Sequence, residues 1–354
     1  MSYPIFDLHW HARDEEQSAK ETIARSLAVA EASGIIGIAA MPNTKRPLIS
    51  LERCQEYLAI ADREKSPVKF YVHIGLTPDP EQVKRAVDAW RREPRIIGMK
   101  AYWGKSTGDL TIRNEDQQRK VLETLSEEYY DGVLISHCEK ESCMNDKLYT
   151  SSDPRIWSRR CRPEAAEMSS FDDIAGFAED VFFPGTLHIA HVSTAYAVDK
   201  IHNYRGKVKL SCGVTPHHLF LSDDYLDRLG AQAKCNPALR EEATRKGLEK
   251  RLWDGRINII ESDHANHCVE DKQGEEPASG IPVGVAWPET LGALIRRGMP
   301  SARIKALVCE NPVNLFRSGD KLLDLEIPDR VRVNMDKLRL LRESYPLDVS
   351  KYIG

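Results

Sequence analysis

The sequence predicts an α/β fold, a (β/α)8 barrel, and three observations carry the prediction. Eight short apolar runs recur, at residues 5–11, 35–41, 68–75, 96–100, 133–137, 186–191, 208–214 and 257–263. Amphipathic stretches separate them, among them 18–33, 50–65, 81–93, 115–130 and 240–253. Strands alternating with helices build βα units and a parallel sheet, and eight units suffice to close a barrel. The third observation is chemical. Strands one, four, five, six and eight end in His11, Lys100, His137, His191 and Asp263, and strand ends meet at the mouth of such a barrel. A doubly wound open sheet gives the same alternation. It would usually carry a Gly-rich turn after strand one, and the residues after His11 contain none.

Composition narrows the class. The chain has 354 residues, 41% hydrophobic and 29% charged, which is a soluble globular composition. This length buries a full core; it allows two domains but suits one barrel. A net charge of −4 argues against a nucleic-acid partner. No apolar stretch approaches the ~18 residues of a membrane span, and no basic flank with an apolar core opens the chain. The eight cysteines are scattered without a C-x-x-C pair. They read as reduced thiols of a cytoplasmic protein whose partner is a small-molecule substrate. The longest interruption, 138–170, reads as a loop over the mouth, and 271–287 as a second one. The barrel is expected over 1–317. The tail, 318–354, is expected to pack on it, with a helix near 338–344.

The strand ends define a candidate site. Side chains alternate along a strand, so Asp7, His9 and His11 fall on one face and Arg13 extends it. Leu187, Ile189 and His191 share a face with His188 opposite, and Val133, Ile135 and His137 share another. A His-x-His pair on one face can hold a metal ion. One such histidine alone reads as a packed core residue. His9, His11, His137 and His191 with Asp263 read as a metal centre. Lys100 requires its own account, because a protonated amine repels cations. Its amine can add CO2 to give an anionic carbamate that bridges two metals, and nearby cations favour that product. A lysine binding a substrate anion is the competing reading, and it leaves His137 and His191 without an anionic co-ligand. Two metals ~3.5–4 Å apart can share a hydroxide of lowered pKa, which suits hydrolysis of a carbonyl or phosphoryl compound. Asp263 is then the candidate catalytic residue, as proton shuttle.

These residues belong to a series of ordered motifs. The first are Asp7-Leu8-His9-Trp10-His11-Ala12-Arg13, Met41-Pro42-Asn43-Thr44, Gly98-Met99-Lys100-Ala101-Tyr102 and Ser136-His137-Cys138-Glu139. Next come Arg162-Pro163-Glu164-Ala165-Ala166-Glu167, His188-Ile189-Ala190-His191-Val192-Ser193-Thr194 and Thr215-Pro216-His217-His218-Leu219-Phe220. The last are Lys234-Cys235-Asn236-Pro237-Ala238-Leu239-Arg240, Ser262-Asp263-His264-Ala265-Asn266-His267 and Glu310-Asn311-Pro312. In them the chain resembles the amidohydrolase superfamily and, within it, the dihydroorotase family, over residues 6–316.

The resemblance implies a barrel of the metal-dependent hydrolase type with two Zn2+ per chain. It implies His9, His11 and Asp263 on the first zinc and His137 and His191 on the second, bridged by carboxylated Lys100 and a hydroxide. It implies that Arg13, Asn43 and His267 grip a substrate carboxylate, for which the planar guanidinium fork is suited. The implied activity is the reversible opening of the cyclic amide of dihydroorotate to N-carbamoyl-L-aspartate, in pyrimidine synthesis. Hydantoinases and dihydropyrimidinases share the ligands, but their usual substrates lack that carboxylate, and they lack the His-x-His-x-Arg and Met-Pro-Asn pairing. Ser106 and Thr107, between Gly104 and Gly108, fall where related enzymes have a mobile loop. A homodimer is the family expectation.

The chain also departs from the family. Many members carry a small β-sandwich built from both termini; strand one starts so early here that no complete accessory β-sandwich is expected. Glu15-Glu16 replaces the usual Pro-Gly, and Asn266 replaces the proline before the last histidine. Glu261 lies two residues before Asp263, on the same inward face. A buried carboxylate needs a partner, and a place behind a metal ligand suits Glu261 and equally Asp7. Two other functions fit less well. One is a hydantoinase- or allantoinase-like cyclic amidase. The other is a non-catalytic scaffold for aspartate transcarbamoylase, which would usually have lost ligand residues.

Overall fold

The computed structural model describes residues 3–353 except 107, 109 and 318. Eight parallel strands follow one another in sequence order. They are β1 (Ile5–Trp10), β2 (Ile35–Ala40), β3 (Lys69–Gly75), β4 (Ile96–Trp103), β5 (Val133–Cys138), β6 (Thr186–Ile189), β7 (Lys209–Val214) and β8 (Ile259–Ile260). Each of the eight predicted runs coincides with one of them, β4 and β5 running three residues and one residue beyond their runs. β8 is shorter than the run 257–263 suggested. Beyond Ile260 the backbone leaves the ladder, because Ser262 N–H bonds the Asp7 carboxylate and Asp263 adopts φ +50°. The ring therefore closes by a single bridge, Trp10 to His264, with His11 N–H donating to His264 O at 2.8 Å. The Trp10 and His264 rings stack across this seam, with centroids 4.2 Å apart.

The helices start where the sequence supplies caps. Thr22 caps α1 (Ile23–Ser33), Ser50 caps α2 (Leu51–Arg63), Asp79 caps α3 (Pro80–Arg92) and Asn114 caps α4 (Glu115–Glu127), each side chain accepting a first-turn N–H. Gly34 ends α1 in the left-handed conformation a glycine adopts at least cost. The interruption after β5 is shorter than expected. Turns at Glu141–Cys143, Asp146–Leu148 and Trp157–Cys161 give way to α5 (Glu164–Asp180). Pro163 presets the chain for that helix, and Glu164 and Glu167 favour its positive N-terminal end.

Apolar side chains fill the space between strands and helices, and a second cluster forms the barrel floor. The floor joins Phe6 and Leu8 to Tyr71, Val133 and Ile135, and is plugged by Val313 and Phe316 of the helix Asn311–Arg317. The Phe6 ring meets Tyr71 at 5.8 Å and Phe316 at 6.4 Å, edge to face. This packed floor leaves the opposite rim for chemistry. The late helix Met335–Arg342 lies against α1: Asn334 N–H bonds Ala32 O at 2.9 Å, and Leu338, Tyr345, Val349 and Ile353 are buried. Among the described residues no helix is long and apolar enough to cross a membrane. All eight cysteines are free thiols.

Candidate metal centre at the barrel mouth

β1 carries His9 to the mouth, and His11 follows just past its end. Asp263 Oδ1 lies 3.1 Å from His9 Nε2 and 3.0 Å from His11 Nε2. Asn43 Oδ1 sits 2.8 Å from His11 Nδ1. An amide oxygen only accepts, so Nδ1 carries the proton, and a cation between Nε2 and Asp263 would meet the Nε2 lone pair. Burial pushes the Asp263 carboxyl up, but His9 and His11 outweigh it and hold it well below the usual carboxylate range. Burial brings His11 down to about 4.

Across the mouth, His137 Nδ1 and His191 Nε2 face each other at 3.0 Å. His137 Nε2 donates to Glu139 at 3.0 Å, and Arg162 pairs with the same carboxylate oxygen at 2.5 Å. Burial would raise Glu139, yet Arg162 and His137 bring it down to about 2. Arg162 also donates to Asp146 and, at 2.9 Å, to Lys105 O in the loop after β4. Burial lowers both His137 and His191, so both rings favour the neutral form. With the His137 proton on Nε2, lone pairs are available on the nitrogens that face inward.

Lys100 lies between the two halves. Its side chain is fully buried, and among the described residues its Nζ has no hydrogen-bond partner. Burial brings the amine down to about 8. An orphaned buried amine is unfavourable by itself, and its neutral form is the one that adds CO2. The orphaned amine, the facing imidazoles, and the convergence of His9, His11 and Asp263 ligand atoms within 4.8 Å of one another fit a pair of divalent cations.

Simple alternation does not deliver His191. Leu187 and Ile189 pack outward in the main core, whereas His188 points inward to Ser211 and Glu261. His191 reaches the mouth because it follows the end of β6 with φ +41°, and Asp263 follows β8 with φ +50°. Neither is glycine, and such backbone strain concentrates at functional sites. In β1 the ladder to β2 slips between Asp7 and Trp10. Asp7 accepts from Ser262 N–H and from Trp287 Nε1 at 2.9 Å, which fixes it on the seam.

The other predicted residues divide. Arg13 and Asn43 line the same cavity as the cluster, together with Ser106. Arg13 is 3% exposed, and among the described residues it forms no ion pair or hydrogen bond; burial lowers its pKa. His267 lies just behind this cavity, its Nε2 donating to Ser279 O at 3.0 Å beside Gly280. Its ring is therefore committed to the mouth loop, whose tight backbone at Gly280 carries the lining. Thr107 lies outside the described residues. The cavity measures about 30 Å³, room for one or two waters, and Ser106, Ser279 and Gly280 line it. An outer chamber of about 200 Å³ shares Ser106, Asn236 and Ser279 with it and is lined by charges of both signs, Lys105, Lys147, Arg162 and Lys234 with Asp146, Glu275 and Glu276.

Glu139 and Arg162 are the functional residues that sequence reasoning missed, although both stand in motifs it had singled out. Their partnership spans 23 residues and no periodicity signals it. A second group of ligand-type atoms, His217, His218 and Cys235, lies behind the site. His218 takes Thr215 Oγ1 on Nδ1 and Pro237 O on Nε2, so no lone pair remains for a metal. His264, next to Asp263, turns outward to Glu21 at 3.0 Å.

Fold and site together define a class: parallel barrels that gather histidines, a lysine and a carboxylate at the strand ends of one cleft. No family model matches the chain. The dihydroorotase of Halobacterium salinarum is 32% identical over 317 residues, covering 88% of this chain and 71% of that one. The fold is similar to L-hydantoinase from Arthrobacter aurescens, with TM-score 0.77 and 19% identity over 94% of this chain and 73% of the other. It is also similar to the dihydroorotase of Saccharomyces cerevisiae in complex with 5-fluoroorotic acid, with TM-score 0.69 and 18% identity over 90% and 85%. The chain belongs to the dihydroorotase family of cyclic amidohydrolases.

Proposed function

We propose that this protein is a zinc-dependent dihydroorotase that reversibly hydrolyses the cyclic amide of (S)-dihydroorotate to N-carbamoyl-L-aspartate. The observation that carries this reading is Arg13, a buried guanidinium without an anionic partner in the cavity that holds His9, His11, Lys100, His137, His191 and Asp263. A buried cation needs an anion, and the ring carboxylate of dihydroorotate supplies one. Hydantoins and allantoin do not.

In this reading His9, His11 and Asp263 would hold one Zn2+ and His137 and His191 the other, with the carbamate of Lys100 as the further anionic ligand. When bound, the pair supplies a water of lowered pKa and polarises the ring amide carbonyl. Arg13 grips the ring carboxylate with two parallel N–H donors and fixes the amide over the cluster. Asn43 keeps the proton of His11 on Nδ1. Asp263, ionised by its neighbours, accepts the proton of the attacking water and delivers it to the ring nitrogen as the C–N bond breaks. In reverse the ring closes and water leaves. His267 supports the substrate side by holding the Ser279–Gly280 loop, and Ser106 with Thr107 supplies the gate. The protein acts in the cytoplasm, as a homodimer and in association with aspartate transcarbamoylase.

The test is the ultraviolet absorbance of dihydroorotate with zinc-loaded protein. Turnover is expected for the wild type. Arg13→Gln is expected to raise KM roughly 10- to 150-fold, the loss of about 1.5–3 kcal/mol from a charged hydrogen-bond pair, with kcat little changed. No turnover of dihydroorotate, with hydantoin or allantoin turned over instead, overturns the substrate. No turnover of any of them by zinc-loaded protein returns the scaffold reading.

A further inference from the structure

Glu261 is fully buried, and no step above uses it. Its Oε1 accepts the backbone N–H of His191 at 2.6 Å. Its Oε2 faces His9 Nδ1 and His188 Nε2, both at 3.4 Å. Among the described residues no hydrogen bond reaches His9 Nδ1, and the Glu261 carboxylate is the anion that faces it. His9 stands in one half of the mouth cluster and His191 in the other. One carboxylate just past β8 therefore reaches a ring in the first half and the strained backbone of the second.

The carboxylate fits only because its neighbour on β7 has no side chain. A Cβ on Gly213 would lie 2.4 Å from Glu261 Oε1 and 2.6 Å from its Cδ, closer than any real contact. Gly213 needs no unusual backbone for its own sake: it pairs with Ile259 in the regular ladder to β8. Space for Glu261 is what its missing side chain provides.

We propose that Glu261 is a positioning residue for both halves of the metal centre, admitted by the gap at Gly213. It holds the His9 proton on Nδ1, so that the Nε2 lone pair points at the centre. It also pins the left-handed turn that aims His191 Nε2 at His137. An acceptor behind a metal-binding imidazole is known to set its tautomer and orientation. Here a single group does this for one ligand through its ring and for another through its main chain. The inference rests on the metal reading of the cluster and not on the identity of the substrate.

The test measures zinc affinity by chelator competition, and the melting temperature of the metal-free protein, in wild type, Glu261→Gln and Gly213→Ala. Glu261→Gln keeps the shape and removes the charge. Gly213→Ala keeps the charge and displaces it. Both variants are expected to bind zinc about 10- to 100-fold more weakly, at both equivalents, while the metal-free proteins still melt cooperatively near the wild-type temperature. Unchanged affinity in either folded variant overturns the assignment. So does a loss that appears only because the metal-free variants no longer fold, since a purely structural carboxylate would do the same. Dihydroorotate is absent from the assay, so a protein without that activity whose zinc affinity falls in both variants loses the substrate reading and keeps this one.

Discussion

The two halves of the mouth cluster use the same residue type and balance it differently. On the β1/β8 side, Asp263 stands between His9 and His11, 3.1 and 3.0 Å from their Nε2 atoms. On the β5/β6 side, two imidazoles face each other at 3.0 Å and the carboxylate, Glu139, lies behind His137 instead of in front. The first half has its anion in place. Among the described residues no carboxylate stands between the two rings of the second half, and Lys100 lines the same cavity. The difference teaches that four similar histidines do not make two equivalent sites: one half has a carboxylate between its rings, and the other has its carboxylate only behind one of them.

The sharpest way to break this contrast is to remove the anion of the first half. Asp263→Asn is expected to lower kcat for dihydroorotate by about 10²–10⁴-fold, the usual worth of a positioned acid–base group. Initial rates with zinc-saturated protein check this, and a kcat near wild type would move the proton acceptor elsewhere. The contrast sharpens at Lys100. Lys100→Met is expected to retain about half the wild-type zinc by elemental analysis, because only the β1/β8 half keeps an anionic ligand. Wild-type protein reconstituted without CO2 should do the same, and full occupancy in either case would show that no carbamate is needed.

The smallest effect concerns the anion behind His137. In the metal-free protein the Glu139 carboxyl is held at about 2 against an ordinary 4.5. A depressed carboxyl contributes stability above its unfolded value and loses it as pH falls through the folded one. Melting temperature should therefore fall between pH 4.5 and 2, by the equivalent of on the order of 1–3 kcal/mol. Glu139→Gln should lack that part of the acid slope, and an unchanged slope would place the titrating group elsewhere.

Much of this was legible in the sequence, for physical reasons. Strand identity follows from apolar runs of the right length, and helix starts follow from Thr22, Ser50, Asp79 and Asn114, whose side chains cap them. His9, Lys100, His137 and Asp263 could be placed at one rim because parallel strands all end there. His191 was found for the wrong reason, since a left-handed residue and not strand alternation turns it inward. The backing groups were harder. Arg162 meets Glu139, and Glu261 meets Gly213, only after distant segments have packed. A missing Cβ that admits a carboxylate from the next strand leaves no periodic trace. His267 was named from the family motif, and what the sequence did not show is that its Nε2 donates to the Ser279 carbonyl.

The seam between β1 and β8 has a consequence for assembly. The ring closes by one bridge, Trp10 to His264, and the contact next to it joins His11 to Asp263 across 252 residues of chain. Bringing ends together over so long a span carries an entropic cost, and closure of the ring and assembly of the site share it. Until the chain has been made past residue 263, His9 and His11 wait with no counterpart. Completing the cylinder and completing its chemistry are therefore one event, and a nascent chain that stops short of the seam has neither.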